Sequence, residues 1–340
     1  MSNTPQRTDA VIVGAGPVGL FAVFACGMLD VRCHVIDALA EVGGQCSALY
    51  PEKPIYDIPG YPTIMAGDLV ERLAEQAAPF EPVYRLGQQV TALQAADDGG
   101  WTVTTSAGTV VHAAAVIIAA GVGAFGPNRP PLDGIEAYEG IAVHYLVRRR
   151  EDFRDKRLVI AGGGDSAVDW ALSLAEVATH VAVVHRRDRF RAAPESVNRL
   201  KALAADGTIE LVVPFQLAGL EGDGNTLDAV LVRDLDGDER RLEADVLLPL
   251  YGLAQDLGPI ADWGLELERN QLVVDPATCA TGRGGIFAIG DVVTYAGKLK
   301  LILNGFSEAA MAAHAIHPLV HPGAALHFEY STTKGVPGRD

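Results

Sequence analysis

The sequence predicts an α/β protein made of two Rossmann-like dinucleotide-binding domains of the three-layer ββα type, the second inserted in the first. Three observations predict it. An apolar strand runs into a glycine-rich turn at DAVIVGAGPVG, residues 9–19. The same strand, turn and helix recur from Arg157 through GGGDSA, Gly162 to Ala167. A late apolar strand ends in Gly290-Asp291 ahead of an alanine-rich helix. A chain that opens one nucleotide domain, inserts another and then completes the first is the simplest topology for that order. At 340 residues it is longer than one hydrophobic core usually serves. The expected division is 1–125 with 254–340 for the first domain and 126–253 for the second.

In the first turn, Gly14 allows the tight bend and Gly16 lets the backbone approach a pyrophosphate. Pro17 opens the helix, and Gly19 lets that helix pack on its strand. The helix is expected to run to Leu29, and a second strand, Arg32 to Ile36, ends at Asp37. An acid about 20 residues past the glycines suits an adenosine ribose hydroxyl. Residues 43–62, GGQCSALYPEKPIYDIPGYP, carry glycines, prolines and three tyrosines without periodicity and are expected to form one long loop. A helix over Ala66 to Ala78 places Leu69, Val70, Leu73, Ala74 and Ala77 on one stripe. Strands are expected at Tyr84 to Leu93, Trp101 to Thr105, Thr109 to Val111 and Ala115 to Ala120, and GAFGPNRPPLDG from Gly123 connects to the inserted domain.

In the second domain a strand over Arg157 to Ala161 precedes the GxGxxA variant of the fingerprint, with Gly162, Gly164, Asp165, Ser166 and Ala167 at the turn and helix start. The helix is expected to reach about Val177, and a strand Val181 to Val184 follows. Where the first site has Asp37, this one has His185-Arg186-Arg187, and guanidinium groups grip a ribose 2′-phosphate that an acid would repel. Strands at Glu210 to Val213, Leu227 to Arg233 and Asp245 to Leu250 finish this domain. The chain then returns through Gly285 to Asp291 and a helix over Asn304 to Ile316.

The formal charge of −16 and pI near 4.9 argue against nucleic acid and anionic membranes as partners, both of which would be repelled. No stretch reaches the roughly 18 apolar residues of a spanning helix. The opening MSNTPQRTD lacks the apolar core of a signal peptide, so the expectation is a cytoplasmic protein. The four cysteines, Cys26, Cys33, Cys46 and Cys279, form no CxxC pair and read as buried reduced thiols.

One site with an acid and one with arginines suggest FAD held permanently and NADPH visiting, with hydride transfer between them. The flavin ring then carries the chemistry, and no side-chain acid or base is demanded. Tyr50 in the tyrosine-rich loop is the first candidate to cover a flavin face.

The stretches GGQCSALYPEKPIYDIPGYP, AAGVGAFGP, GGGDSAVDWAL, HRRDRFRA and IGDV, in this order over nearly the whole chain, resemble the thioredoxin reductase-like ferredoxin–NADP reductases, homodimeric bacterial flavoproteins. That resemblance implies electron transfer between NADPH and ferredoxin or flavodoxin through FAD. It places Asp37 at the FAD ribose, Gln45 and Tyr50 at the ribityl and ring region, Val90 at the adenine edge through its backbone, and Phe125 near the ring. It places Asp291 at the ribityl chain, Thr332 against the flavin from the tail, and Tyr330, from the partner subunit, over the outer ring face. Thioredoxin reductase proper needs a CxxC ahead of its second fingerprint, but VHYLVRRREDFRDKR, residues 143–157, contains no thiol. Electrons should then leave the flavin directly to a one-electron carrier. Because such carriers are acidic, the basic run Arg148, Arg149, Arg150, Arg154, Lys156 and Arg157 is a candidate docking face, with Lys298 and Lys300 a second cluster. The other readings are a disulfide or quinone reductase acting through Cys46, and a non-catalytic NADP(H)-responsive flavoprotein sensor.

Overall fold

This computed structural model describes residues 6–97, 99–324 and 335–336. The chain divides into two compact units, one formed by residues up to Ala124 and from Gln255 onward, the other by Phe125–Ala254. The two connecting segments, Ala124–Pro127 and Leu253–Asp256, pair as a two-stranded sheet of their own.

In the first unit, strand Gln6–Val13 lies at the centre of a seven-stranded sheet. Cys33–Ile36 runs parallel to it on one side, with Ala10 opposite Cys33, and Val83–Arg85 is the parallel edge beyond. Val110–Ile118 runs parallel on the other side, with Ala10 opposite Ala115. Trp101–Thr105 and Val90–Ala95 continue the sheet antiparallel, and the late strand Ile286–Ala288 pairs parallel with Val110–Ile118. That last pairing brings the C-terminal part of the chain back into the first unit. The strand period of two directs residues to two faces. Ala10, Ile12, Val35, Ala115 and Ile117 pack against helices Pro17–Gly27 and Ile302–Val320. Val11, Val13, Ile36, Val116 and Ile118 pack against Leu93, Trp101, Val103, Trp263, Leu272 and Val293, so a β layer covers the opposite face. Helix Ala66–Ala77 buries Leu69, Val70 and Leu73. Each such side chain contributes about 1.5–3 kcal/mol of apolar burial.

The second unit repeats these layers. Its parallel sheet runs in the order Ile209–Val212, His180–Val184, Arg157–Ala161, Val246–Pro249. Helices Asp165–Leu174 and Pro194–Ala205 belong to this unit. Val159, Ala161, Ala182, Val184 and Leu247 pack against Leu227, Val230, Val232 and Leu242 of the antiparallel sheet formed by Gln216–Gly222, Leu227–Arg233 and Glu239–Glu243. The first and last of those three strands escaped the sequence reading, because QLAGLEG carries two glycines and no regular burial alternation and ERRLE buries only Leu242.

Several boundaries differ from expectation. Tyr84 to Leu93 is two strands, Val83–Arg85 and Val90–Ala95, parted by a turn in which Gly87 takes φ +67° and the Gln88 N–H donates to the Asp37 carbonyl. Thr109 to Val111 and Ala115 to Ala120 merge into the single strand Val110–Ile118. The loop over residues 43–62 holds a one-turn helix, Gln45–Ala48, and the strand Pro54–Ile55, which pairs with Ile64–Met65. The last helix is longer than expected at both ends, while the helices after the first and second glycine turns stop early, at Gly27 and Leu174.

Candidate functional site

The glycine turn of the first unit is shaped by contacts that only glycine survives. Gly14 has φ +112°, and a Cβ there would stand 2.4 Å from the Ala119 carbonyl oxygen. A Cβ on Gly19 would stand 2.0 Å from the Gly14 oxygen. Gly16 is different: a Cβ on it would meet nothing within 4 Å, so its backbone borders open space. Pro17 occupies the first helical turn, and no side chain caps the helix, which leaves its first N–H groups for an anion. Gly44 closes the cradle, its own Cβ position lying 3.2 Å from the Gly16 Cα. This geometry fits a pyrophosphate.

Asp37 stands at the end of Cys33–Ile36. Its Oδ2 accepts the Ala15 N–H at 2.6 Å and its Oδ1 the Leu39 N–H at 2.8 Å. Burial raises its carboxyl above the usual value, and these two bonds oppose the rise. A carboxylate offers about four acceptor positions, so two remain for a pair of ribose hydroxyls. The turn at residues 86–89 folds back on Asp37 and delivers Val90, whose side chain is buried and whose backbone pairs with Thr105 ahead of a bulge. Gln45 lies against the Ala120-Gly121 turn, its Nε2 being 3.5 Å from where a Gly121 Cβ would sit. The Tyr50 hydroxyl and the Cys46 thiol are near enough to influence each other's titration, and Lys53 lies 5.9 Å from the Tyr50 ring centroid. Asp291, on the one-turn helix Gly290–Val292, is close enough to both Cys46 and Tyr50 to act on them electrostatically. Burial raises the Asp291 carboxyl while Lys298 and Lys300 lower it, and among the described residues no protein donor is bonded to that carboxylate. Such an acceptor suits a sugar-like hydroxyl. Gln45, Tyr50, Asp291 and Gly16 therefore belong to one unit with the open cradle. The side chain of Phe125 and the whole of Tyr330 and Thr332 lie outside the described residues.

Sequence reasoning missed what holds Asp291 in place. Glu308, from the long last helix, is 1% exposed, and its Oε2 accepts the Gly290 N–H at 2.6 Å. Its Oε1 accepts the Tyr295 hydroxyl at 2.7 Å and the Lys298 ammonium. Lys298 is thus no part of an exposed basic cluster: its side chain is 5% exposed and paired. A single glutamate in an alanine-rich helix gave no signal beyond being a charge among apolar residues.

The second unit shows the same division of labour at its turn. A Cβ on Gly162 would lie 2.7 Å from the Leu250 oxygen and 2.8 Å from the Ala167 Cβ, whereas one on Gly164 would meet nothing within 4 Å. Asp165 and Ser166 are exposed in the first helical turn. The Asp165 Oδ1 accepts the Ala193 N–H at 2.8 Å, and the Arg191 N–H donates to the Gly163 carbonyl at 2.7 Å, which ties the arginine loop to the turn. His185 fits where a Gly163 side chain would be, with a Gly163 Cβ position only 2.3 Å from its ring, and its ring lies 5.1 Å from that of Phe190. Burial, aided by Arg186, Arg191 and Arg187, holds its imidazole below the usual value and so neutral at pH 7. A cavity of about 750 Å³ opens here, lined by His185, Arg186, Arg187, Arg189, Phe190 and Arg191 among others. None of its four guanidinium groups is in an ion pair among the described residues. Arg189 and Arg191 extend the pair named from sequence, and their spacing along the turn was the available signal.

Half of the other basic run is neutralised by ion pairs among the described residues. Arg150 pairs with Glu176, Arg154 with Glu151, and Arg157 with Asp245 and Glu243, which leaves Arg148 and Arg149 exposed. No cluster of metal-ligating side chains occurs among the described residues, and no described helix is long and apolar enough to cross a membrane.

The family of pyridine nucleotide-disulphide oxidoreductases matches residues 8–314 of this sequence. The chain belongs to this family. It is 68% identical to a protein of Paramagnetospirillum magneticum named ferredoxin--NADP reductase, over 98% of each chain, and 63% identical to a Rhodospirillum rubrum protein of the same name, over 99% of this chain and 98% of that one. The crystal structure of Lactococcus lactis thioredoxin reductase in its FR conformation is 25% identical and matches with a TM-score of 0.80, covering 92% of this chain and 99% of that one. As a pyridine nucleotide-disulphide oxidoreductase the protein takes FAD and NADP(H), and both cradles have the shape for a dinucleotide. It differs from the family's disulphide chemistry in its thiols. All four cysteines are free and buried, and all lie outside the second unit. Burial pushes the Cys46 thiol up to about 11, which leaves almost no thiolate at neutral pH to attack a disulfide.

Proposed function

We infer that this protein is a ferredoxin–NADP reductase that moves electrons between NADPH and ferredoxin, or flavodoxin, through FAD. The reading is carried by the full-length identity of 68% with a protein of that name, and the arginine-lined cavity supplies its physical content. Bound FAD supplies the conversion of a two-electron hydride into single electrons. The chain's own residues bind and orient.

In this reading the first unit holds FAD. The N–H groups beyond Gly14, Gly16, Pro17 and Gly19 take the pyrophosphate, Asp37 the ribose, the Val90 backbone the adenine edge, and Asp291 and Gln45 the ribityl chain. Tyr50 and Phe125 border the ring. The tail residues Tyr330 and Thr332 come from the partner subunit of a homodimer. The second unit holds NADPH, with Gly162, Gly164, Asp165, Ser166 and Ala167 around its pyrophosphate and Arg186 and Arg187, beside neutral His185, on the 2′-phosphate. The protein works in the cytoplasm, and no side chain has to donate or accept a proton in the transfer. Without a dithiol, the electrons pass to a one-electron carrier rather than to a protein disulfide.

The purified protein is expected to be yellow and to oxidise NADPH rapidly when ferredoxin or flavodoxin is supplied. A colourless preparation that takes up no FAD, or NADPH oxidation sustained only by a disulfide substrate, would overturn the reading.

A further inference from the structure

We propose that Glu308 is a positioning residue for the flavin site, fixing through Gly290, Tyr295 and Lys298 the turn that presents Asp291. The proposal rests on the reading that the first unit holds FAD. Glu308 joins three segments that are separate in sequence: the Gly290–Val292 turn through the Gly290 N–H, the following loop through Tyr295 and Lys298, and its own helix. It leaves Asp291 with a carboxylate that none of these donors occupies, so the acceptor stays available for a hydroxyl chain.

The arrangement is electrostatically demanding. Two carboxylates, Glu308 and Asp291, are served by one buried ammonium, Lys298, with Lys300 exposed further out. The other titratable side chains around them are kept neutral by burial: it pushes the Cys46 thiol up to about 11 and the Cys279 thiol up to about 12, and it raises the Tyr50 and Tyr295 phenols. A buried ion pair contributes little stability against an apolar replacement, yet removing one partner alone is costly because the other charge is stranded. Geometry rather than stability is therefore what this pair supplies. Gly290 at φ +81° holds a turn that other residues adopt only with strain, and the Glu308 bond to its N–H fixes the direction in which the next residue, Asp291, leaves the backbone.

The test measures FAD binding to the full-length protein by equilibrium dialysis, at pH 6, 7 and 8, with binding of adenosine 2′,5′-bisphosphate as a control on the second unit. Wild-type affinity is expected to be flat across this range. Glu308→Gln and Lys298→Met should each weaken FAD binding about tenfold or more while leaving the bisphosphate affinity unchanged. In Lys298→Met the loss should grow from pH 6 to pH 8, because the Asp291 carboxyl, already raised by burial and now deprived of the nearby ammonium, takes on its charge only as pH rises. The double variant should regain most of the affinity and lose the pH dependence. Tyr295→Phe removes one donor and should cost a few-fold, which keeps the test open should Lys298→Met fail to fold by circular dichroism. Unchanged affinity in both single variants, or losses that add in the double variant and do not vary with pH, would overturn the proposal by reducing these residues to packing. Failure of the wild-type protein to bind FAD, with bisphosphate binding intact, would instead remove the flavin reading itself.

Discussion

Gly16 and Gly19 look alike in sequence and do opposite work. Gly16 has φ −68° and open space beside it, so alanine fits the free protein, whereas alanine at Gly19 would drive a methyl group into the Gly14 carbonyl. Gly16→Ala should therefore leave thermal stability within about 0.5 kcal/mol of wild type, as surface changes do, and weaken FAD retention on dialysis. Gly19→Ala should lower the unfolding midpoint by several degrees. Equal stability losses in both would show that the Gly16 cradle is not open. The arginines make a similar argument in the second unit. Each charge-assisted bond to a phosphate is worth about 1.5–3 kcal/mol. Replacing Arg186 and Arg187 together by alanine should then raise KM for NADPH relative to NADH by on the order of a hundredfold. Equal effects on the two cofactors would place the 2′-phosphate elsewhere. Arg189 and Arg191 line the same cavity, so residual preference for NADPH is expected to persist in that variant.

Secondary-structure elements here depend on pairs of side chains that sequence periodicity does not show. Strands Arg157–Ala161 and Val246–Pro249 are parallel neighbours, and their starts are clamped by Arg157 and Asp245. The Asp245 Oδ2 accepts the Arg157 N–H at 2.7 Å, and its Oδ1 takes the guanidinium at 2.6 Å. Arg157 thereby holds the Asp245 carboxyl below its ordinary value of 3.8. A carboxyl with a depressed folded pKa adds stability above its unfolded value that is lost as pH falls through the folded one. Asp245→Asn should thus lower the unfolding midpoint at pH 7, and the gap to wild type should close progressively below about pH 4. A gap constant down to about pH 2 would show that the carboxylate's charge is not what the clamp uses. The glycine turns, the helix stripe of Leu69, Val70 and Leu73, and the central strands were legible in sequence because each is a local pattern of fixed period. The division of Tyr84 to Leu93 was not. Its two halves alternate alike, and what separates a parallel edge strand from an antiparallel one is the turn at Gly87, held by backbone bonds from Gly87 to the Leu39 carbonyl and from Gln88 to the Asp37 carbonyl.

For the whole molecule, a charge of −16 must be reconciled with an acidic carrier. Arg148 and Arg149 are the exposed members of the basic run that no acid neutralises among the described residues, so they are the residues able to steer such a partner. Changing both to glutamate should lower the rate of ferredoxin reduction several-fold at low salt and spare a neutral dye. The difference should fade as salt rises, since exposed charges are screened beyond roughly 10 Å at 0.1 M. An unchanged carrier rate would exclude them. The sequence by itself determined that two dinucleotide folds are present, that one carries an acid and the other arginines, and that the cysteines form no CxxC pair, because these features reside in residue identity at short, fixed spacing. Only the tertiary structure decided that Lys298 is buried against Glu308, that half of the basic run is spent on ion pairs, and that Cys46 is too buried to act as a thiolate. The physical reason is that burial and charge pairing are properties of residues far apart in the chain, and they exist only once the sheet and its covering layers have assembled.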